Sequence, residues 1–370
     1  MKIIFICGSV EQGCDGVGDY TRRLCATLYK LGYSAGIIAI NDSSIAKPEA
    51  VTQKEDDINV EVYRLPSTLA RKERYKLAQE WIEEKNPKWL SLQFVPYSFS
   101  EKGIPFSLAS ELKGLGKGRN WHIMFHELWI GMDDSSSIKE KIIGLLQRLI
   151  IKSMVFQLKP ITIHTQTHIY KHHLKDLGYQ SSLLPLFSNI PVYKEHKNSE
   201  KEDITFVIFG GIHANAPIKK FIKEASKYFS KIGKTISLIT IGRNGKELDN
   251  WIHIWNSSGL STKQMGEQSK EVISTTLSNA DYGICTTPLV LSEKSGSVAA
   301  MHLHNLPVIC VARNWSTGVQ ISKKEISVMN YQEGNFHNMI MNANTIHKVD
   351  NSANKIAKLF LDSLKINIDG

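Results

Sequence analysis

The sequence contains few cysteines and no segment that marks export or membrane insertion. Its five cysteines are an odd number and form no C-x-x-C pair, which argues against a disulfide framework. Cys7, Cys285 and Cys310 lie inside apolar runs, where a free thiol packs as a small hydrophobic side chain. No stretch approaches the ~18 uninterrupted apolar residues of a transmembrane helix, and Met1-Lys2 leads straight into a strand-like run. We therefore expect a cytoplasmic protein in a reducing compartment.

Signals for metals, dinucleotides and nucleic acids are also missing. There is no Asp-x-Asp pair and no His/Cys cluster of ligand spacing, so no metal site is expected. The loop after the first strand lacks G-x-G-x-x-G spacing, which argues against NAD or FAD. The net charge of +9 is spread, with 24 basic against 20 acidic residues in 1–190 and 21 against 16 in 191–370. We interpret this excess as attraction for anionic small molecules or a lipid surface, without a nucleic-acid partner.

The sequence contains two successive series of alternating strands and helices. A length of 370 residues suits two α/β domains of ordinary size. Between the two series, the composition becomes polar and charged after Pro191. We predict an N-terminal domain over 1–190, a linker over 191–203, a C-terminal domain over 204–351 and a final helix within 352–370.

The first strand-helix-strand unit contains a glycine-bearing loop. An apolar run over 2–7 is followed by Gly13, Gly16 and Gly18 and by a helical pattern from Asp19. Glycines let the backbone approach a ligand closely, or they merely permit the turn. Asp19 either belongs to a site or caps the helix.

A histidine follows a later strand of this domain, which is predicted over 121–125. Strand ends in open α/β sheets face the ligand crevice, which favours a functional role for His126, although a lone histidine is often structural. The next helix, over 138–158, interleaves apolar and basic residues. Its pattern fits core packing under a second helix or contact with a membrane surface.

The stretch 279–311 reads as strand, loop, helix and strand. The helix is predicted to begin near Gly296 or Ser297, so that backbone N–H groups and the positive end of the helix dipole point into a serine- and glycine-lined hollow beside Lys294. Such a hollow suits a phosphate. Alternatively, Ser297 is only an N-cap.

Four motifs follow one another along the chain, namely GVGDYTRRLCATLYKLGY, FHELW, FGGIHANAPIKKFI and KSGSVAAMHLHNLPVI. In this order they resemble GT-B glycosyltransferases, most closely family-four-like bacterial enzymes. The resemblance implies two Rossmann-like domains facing across a cleft, with the final helix crossing back to the first. It also implies a UDP- or GDP-sugar donor held mainly by the C-terminal domain, a carbohydrate, lipid-linked or small-molecule acceptor, and no permanently bound cofactor. A peripheral contact with the inner face of a membrane is a further expectation.

The resemblance also implies roles for individual residues. His126 would lie near the transferred sugar, and retention of configuration is expected. Apart from the resemblance, Asp19 is the candidate general base if the reaction inverts. The implied donor-binding residues are Gly16, Gly18, Gly211, His213, Lys219, Lys220, Arg243, Glu293, Lys294, Ser295, Gly296 and Ser297.

The sequence departs from the family pattern at two places. Ser292 and Ala300 occupy the positions of the E-x7-E glutamates, with Glu293 next to the first. The arginine expected after the first strand of the C-terminal domain is missing, and His213 lies nearby. Two alternatives therefore stay open. One is a nucleotide-sugar 2-epimerase, whose carboxylates would come from Glu11, Asp19, Glu127 and Glu293. The other is a degenerate binding or scaffold protein.

Overall fold

The computed structural model describes residues 2–193, 203–319, 326–342 and 351–366. The chain forms two compact units. The first comprises Met1–Leu184 and Ala353–Gly370, and the second comprises Pro185–Ser352. Of the predicted linker, residues 194–202 lie outside the described residues.

The first unit is built on an eight-stranded sheet. Its strands are β1 (Lys2–Cys7), β2 (Ser34–Asp42), β3 (Glu49–Glu55), β4 (Ile58–Pro66), β5 (Trp89–Phe94), β6 (Asn120–Phe125), β7 (Thr162–Thr165) and β8 (Ser182–Leu183). The spatial order is β3-β4-β2-β1-β5-β6-β7-β8. Only the β3–β4 pair is antiparallel among these strands. Strands β1, β5 and β6 are almost wholly buried, as expected for a parallel sheet covered on both faces.

Helices connect these strands. They are α1 (Gly16–Lys30), α2 (Arg71–Lys85), α3 (Pro96–Phe99), α4 (Leu108–Leu115), α5 (Ile138–Leu158) and α6 (His168–Asp176). Helix α1 begins three residues before the predicted start, because Asp15 and not Asp19 is its N-cap. The edge strand β3 was not predicted, since its residues are mostly polar and alternately exposed and its pattern resembles a loop.

The second unit is built on a six-stranded parallel sheet. Its strands are β9 (Ile204–Phe209), β10 (Ile236–Ile241), β11 (Ser261–Gln264), β12 (Tyr282–Cys285), β13 (Val308–Cys310) and β14 (Met329–Asn330), in the order β11-β10-β9-β12-β13-β14. Its helices are α7 (Ile218–Ser230), α8 (Leu248–Ser257), α9 (Lys270–Asn279), α10 (Gly296–Leu303) and α11 (Phe336–Met341), with a 3₁₀ turn over Leu289–Lys294. The predicted organisation as two Rossmann-like α/β units is confirmed.

Each sheet has a point where the winding direction reverses. In the first sheet this point lies between β1 and β5, and in the second it lies between β9 and β12. Open α/β sheets bind ligands beyond the carboxyl ends of the strands at such points. A ligand site is therefore expected at the loops that follow these four strands.

The final helix is α12 (Ala353–Ile366). It belongs to the first unit, as predicted for a helix that crosses back to the N-terminal domain. It packs against α1. The ring of Phe360 is fully buried, and its centroid lies 5.7 Å from that of Phe5 and 5.1 Å from that of His122. The helix thus completes the core of the first unit.

We expect Phe360→Ala to destabilise the first unit by about 3–5 kcal/mol, because truncating a buried phenylalanine removes apolar contacts and leaves a cavity. Leu359 is 45% exposed on the same helix, so Leu359→Ala is the matched control and should cost less than ~0.5 kcal/mol. Urea unfolding curves measure both. Equal losses in the two variants would contradict the packing of α12.

Candidate functional site

The predicted glycine loop includes the first turn of α1, and of its three glycines only Gly18 is tightly packed. The Asp15 carboxylate accepts a hydrogen bond from the Gly18 N–H at 2.7 Å. A Cβ at Gly18 would lie 2.8 Å from both the Ser9 carbonyl oxygen and the Val10 Cα, whereas a Cβ at Gly16 would meet nothing within 4 Å. Gly18 is therefore required by the fold, and Gly16 borders open space.

Asp19 holds this loop in place. Its carboxylate forms an ion pair with Arg22 and accepts a hydrogen bond from the Gly13 N–H at 3.2 Å. Arg22 is buried and also donates to the Val10 carbonyl at 3.1 Å. The alternative that Asp19 caps α1 is wrong, because Asp15 fills that position.

His126 directly follows β6, as predicted, and it is only 5% exposed. Its backbone N–H donates to the Phe94 carbonyl at 3.1 Å. Its ring packs edge-to-face on Tyr20, with centroids 5.0 Å apart. Its Nε2 lies 2.9 Å from Gln93 Oε1. Because an amide oxygen only accepts hydrogen bonds, His126 Nε2 carries a hydrogen and donates a hydrogen bond to Gln93 Oε1.

A buried chain of polar side chains continues behind Gln93. Gln93 Nε2 donates to Ser91 Oγ at 2.8 Å, Ser91 Oγ lies 2.7 Å from His122 Nδ1, and His122 Nε2 lies 3.0 Å from His164 Nδ1. All of these side chains are buried.

His122 and His164, the two histidines of this buried hydrogen-bonded chain, are neutral at pH 7. Burial lowers the pKa of His164 to about 4. Burial, with further contributions from His164 and His126, lowers the pKa of His122 well below its usual range. A neutral imidazole has one donor and one acceptor nitrogen, so the chain links β5, β6 and β7 by alternating donors and acceptors. It fixes the orientation of His126 from behind.

In the second unit, the loops after β9 and β10 are joined by Asn244. The Asn244 side-chain amide donates to the Gly210 carbonyl at 2.8 Å, and the Asn244 carbonyl accepts from the Ile212 N–H at 3.0 Å. Asn244 is 4% exposed. Asn244 is not among the predicted site residues, because an asparagine after a glycine turn resembles any loop residue.

The loop after β9 is also joined to the end of β12 through Thr286. Thr286 Oγ1 accepts from the His213 N–H at 2.9 Å and donates to the Gly211 carbonyl at 3.2 Å. His213 Nδ1 lies 3.1 Å from the same oxygen. Desolvation of its ring and the charge of Lys294 lower the pKa of His213. A neutral imidazole and an ammonium therefore lie near each other at the switch point.

Helix α10 begins beside these groups. Ser295 is its N-cap, with Oγ accepting from the Val298 N–H at 3.4 Å, so the alternative that Ser297 is the cap is wrong. Gly210 has a φ of +84°, and a Cβ there would lie 2.5 Å from Ser297 Oγ, so the loop after β9 touches the first turn of α10. A Cβ at Gly296 would meet nothing within 4 Å.

The second unit thus brings together six of the predicted donor-binding residues. These are Gly211, His213, Lys294, Ser295, Gly296 and Ser297. In the part of the chain that the structure describes, the N–H groups of Gly296 and Ser297 have no hydrogen-bond acceptor. Such N–H groups at a helix start next to a cation suit an anion.

The second unit contains four other candidates. Lys220 forms an ion pair with Glu333, and Lys219 is exposed at the start of α7. Arg243 pairs with Glu267 at 3.0 Å, and this pairing lowers the pKa of Glu267. Glu293 is partly buried in the 3₁₀ turn before α10.

The two positions that match the family's glutamates present no carboxylate. Ser292 is fully buried and donates to the Leu289 carbonyl at 2.6 Å. Ala300 is fully buried in the core beside Met301 and Val298.

A polar cavity of about 610 Å³ opens in the first unit beyond the ends of β2 and β4. Its lining includes Asn41, Ser67, Arg74, Tyr75 and Glu111, but neither His126 nor Asp19. Among the described residues, no three of His, Cys, Asp or Glu are grouped so as to hold a metal ion. None of the helices described is both long and apolar enough to cross a bilayer.

No protein-family model and no curated protein matches the chain. Solved structures do match it. The catalytic domain of starch synthase IV from Arabidopsis thaliana, bound to ADP and acarbose, is 11% identical with a TM-score of 0.54 and covers 100% of this chain and 99% of its own. HepE from Anabaena, in complex with UDP and glucose, is 13% identical with a TM-score of 0.56 and covers 100% and 98%. This protein has the GT-B fold.

A UDP-N-acetylglucosamine 2-epimerase candidate from Listeria monocytogenes also has this fold. That protein is 10% identical with a TM-score of 0.58 and covers 100% of this chain and 96% of its own. The predicted resemblance to GT-B glycosyltransferases is therefore confirmed for the fold. Identities of this size do not distinguish between the reactions that GT-B proteins catalyse.

Proposed function

We propose that this protein transfers a sugar from a nucleoside-diphosphate sugar, a UDP- or GDP-sugar, to an acceptor. The observation that carries the proposal is the meeting of the Gly210–Gly211 turn, Lys294 and the first turn of α10 beyond the switch point of the second sheet. Backbone N–H groups at a helix start and a nearby ammonium together favour a diphosphate.

The same groups act on the chemical step. As the bond between the sugar and the diphosphate breaks, negative charge develops on the leaving phosphate. Fixed N–H groups and a cation stabilise that charge without reorganising. We propose that they do so without a metal ion or a permanently bound cofactor, and that the sugar is transferred with retention of configuration.

The first unit is proposed to supply the remaining groups. His126, held by Gln93 and Tyr20, would contact the transferred sugar. Asp19 is engaged by Arg22 and Gly13, which suits a role in holding the loop. The polar cavity beyond β2 and β4 is proposed to bind a hydroxyl-rich acceptor. We further propose a cytoplasmic location with contact to the inner face of a membrane.

We expect one of UDP, GDP or ADP to stabilise the protein. At a concentration of 100 times its dissociation constant, a ligand adds about 2.7 kcal/mol, which raises the unfolding temperature by roughly 5–10 °C for units of this size. A thermal-shift screen with the three nucleotides, uridine and phosphate as controls, measures this effect. No stabilisation by any nucleotide would contradict the donor site.

A nucleoside-diphosphate sugar with the same base as the bound nucleotide then serves as the substrate in assays that distinguish the possible reactions. Slow release of free sugar, or transfer to an added acceptor, supports the proposal. Exchange of the sugar C2 proton with solvent would identify an epimerase instead, although two of the carboxylates that it would need, those of Glu11 and Asp19, are engaged by Arg64 and Arg22. Binding without any turnover would identify a binding protein.

A further inference from the structure

Helix α5 presents a large apolar stripe to solvent. Its inward face, which includes Gly144, Ile151 and Met154, is buried. Ile138, Ile142, Leu145, Leu149 and Phe156, in contrast, are 79%, 54%, 56%, 58% and 78% exposed. Their spacing of four, three, four and seven residues places them along one side of the helix. The stripe spans roughly 27 Å at 1.5 Å per residue.

The orientation of α5 is fixed by its buried side. Gln147 is 1% exposed; its Oε1 accepts from the Ile130 N–H at 2.8 Å, and its Nε2 donates to the Gly103 carbonyl at 3.0 Å. A Cβ at Gly144 would clash with the Ile130 carbonyl oxygen. The exposed stripe is therefore a fixed surface and not the consequence of a loosely packed helix. An apolar patch of this kind marks an interaction site.

Basic residues follow the stripe along one margin. Lys141, Arg148, Lys152 and Lys159 each come three residues after an apolar member, namely Ile138, Leu145, Leu149 and Phe156. Arg148 stacks on Trp129 at 4.6 Å, and Lys152 and Lys159 are exposed. Residues 138–159 contain five basic side chains and one acidic one, Glu140, a net charge of +4.

We propose that α5 docks the protein on an anionic membrane surface. The apolar stripe would enter the boundary between headgroups and acyl chains, while the lysines lie at the level of the anionic headgroups. A second copy of the chain is a poor occupant, because pairing two such faces would bring two +4 segments together. The one acidic side chain of this segment, Glu140, is engaged in the capping box with Ser137 at the start of the helix. The docking surface does not depend on sugar transfer.

Sedimentation of the full chain with vesicles tests this assignment. We expect binding to vesicles of equal parts phosphatidylglycerol and phosphatidylcholine, little binding to phosphatidylcholine alone, and weakening at high salt. Lys152→Gln/Lys159→Gln should reduce affinity about 25-fold, at about fivefold for each charge removed. Leu149→Glu/Phe156→Glu should reduce it about tenfold or more. Ile232, which is 60% exposed in the second unit, provides the matched control Ile232→Glu, which should bind like wild type.

Circular dichroism and thermal unfolding without nucleotide confirm in parallel that each variant is folded. Absence of binding to anionic vesicles by folded wild type, or equal binding by the Leu149→Glu/Phe156→Glu variant, would overturn the docking surface. A wild-type dimer that this double variant converts to a monomer would also overturn it and identify a protein interface. Because vesicle binding needs no turnover, these outcomes are separate from failure of the proposed transfer.

Discussion

Replacing His126 by alanine is expected to lower the rate of sugar transfer by about 10²–10⁴-fold, the usual contribution of a positioned acid, base or hydrogen-bonding group. His126 follows β6 at the carboxyl edge of the first sheet and is held there by the Phe94 carbonyl, the Tyr20 ring and Gln93. Alanine removes the imidazole and leaves the buried Gln93 oxygen without its donor, which itself costs about 1–3 kcal/mol of stability.

His126→Gln separates chemistry from stability. A glutamine amide can donate to Gln93 Oε1 from about the position of the imidazole Nε2, but it does not exchange a proton near pH 7. We expect this variant to unfold at nearly the wild-type temperature and still to lose most of its transfer rate. The assay is steady-state transfer together with thermal unfolding. Full activity in a folded His126→Gln protein would show that His126 is a structural residue.

Gln93→Leu provides the complementary variant, because it keeps the imidazole and removes its support. The imidazole would then be free to change its orientation and its protonated nitrogen. Transfer should fall by less than in His126→Gln, with a changed pH profile. An unchanged profile would show that the chain from Gln93 to His164 contributes only to packing.

The periodic elements of the fold could be predicted from the sequence, and the polar contacts could not. Helix α5 begins and ends at the predicted residues, since helical spacing is a local signal. Strand β3 was missed because an exposed edge strand carries little apolar pattern. Helix α10 begins at Gly296, one of the two predicted starts. The sequence did not select the caps of α1 and α10, because Asp15, Asp19, Ser295 and Ser297 all have suitable side chains and only the backbone conformation selects one.

The buried chain behind His126 illustrates why sites are harder to predict than strands. Ser91, His122 and His164 lie in three different strands; Ser91 and His122 interrupt mostly apolar strands, whereas His164 lies between Ile163 and Thr165 in the short strand β7. Their contact depends on the register of β5, β6 and β7, in which Ser91 pairs with His122 and His122 with Thr162. Register between parallel strands is set by long-range packing, so the signal is not present in any one segment.

Replacing Gly296 by valine is expected to weaken nucleotide binding by about tenfold to several thousandfold. The proposed diphosphate accepts hydrogen bonds from the N–H groups at the start of α10, and each charge-assisted bond contributes roughly 1.5–3 kcal/mol. Loss of one or two such bonds gives that range at about 1.4 kcal/mol per factor of ten. A branched side chain at Gly296 would occupy the space that the phosphates need.

The structure makes Gly296 a clean test because the protein itself has room for the side chain. A Cβ at Gly296 meets nothing within 4 Å, and the residue does not have a positive φ, so the variant should fold normally. Gly114 is a similarly exposed helical glycine with nothing within 4 Å of a Cβ, and Gly114→Val should keep wild-type affinity.

Lys294→Ala should also weaken nucleotide binding, but by less than Gly296→Val, because a flexible ammonium is less well positioned than a fixed N–H. Isothermal titration with UDP, GDP and ADP measures all three variants. If folded Gly296→Val binds the wild-type nucleotide with undiminished affinity, the first turn of α10 is a helix start and not a phosphate site.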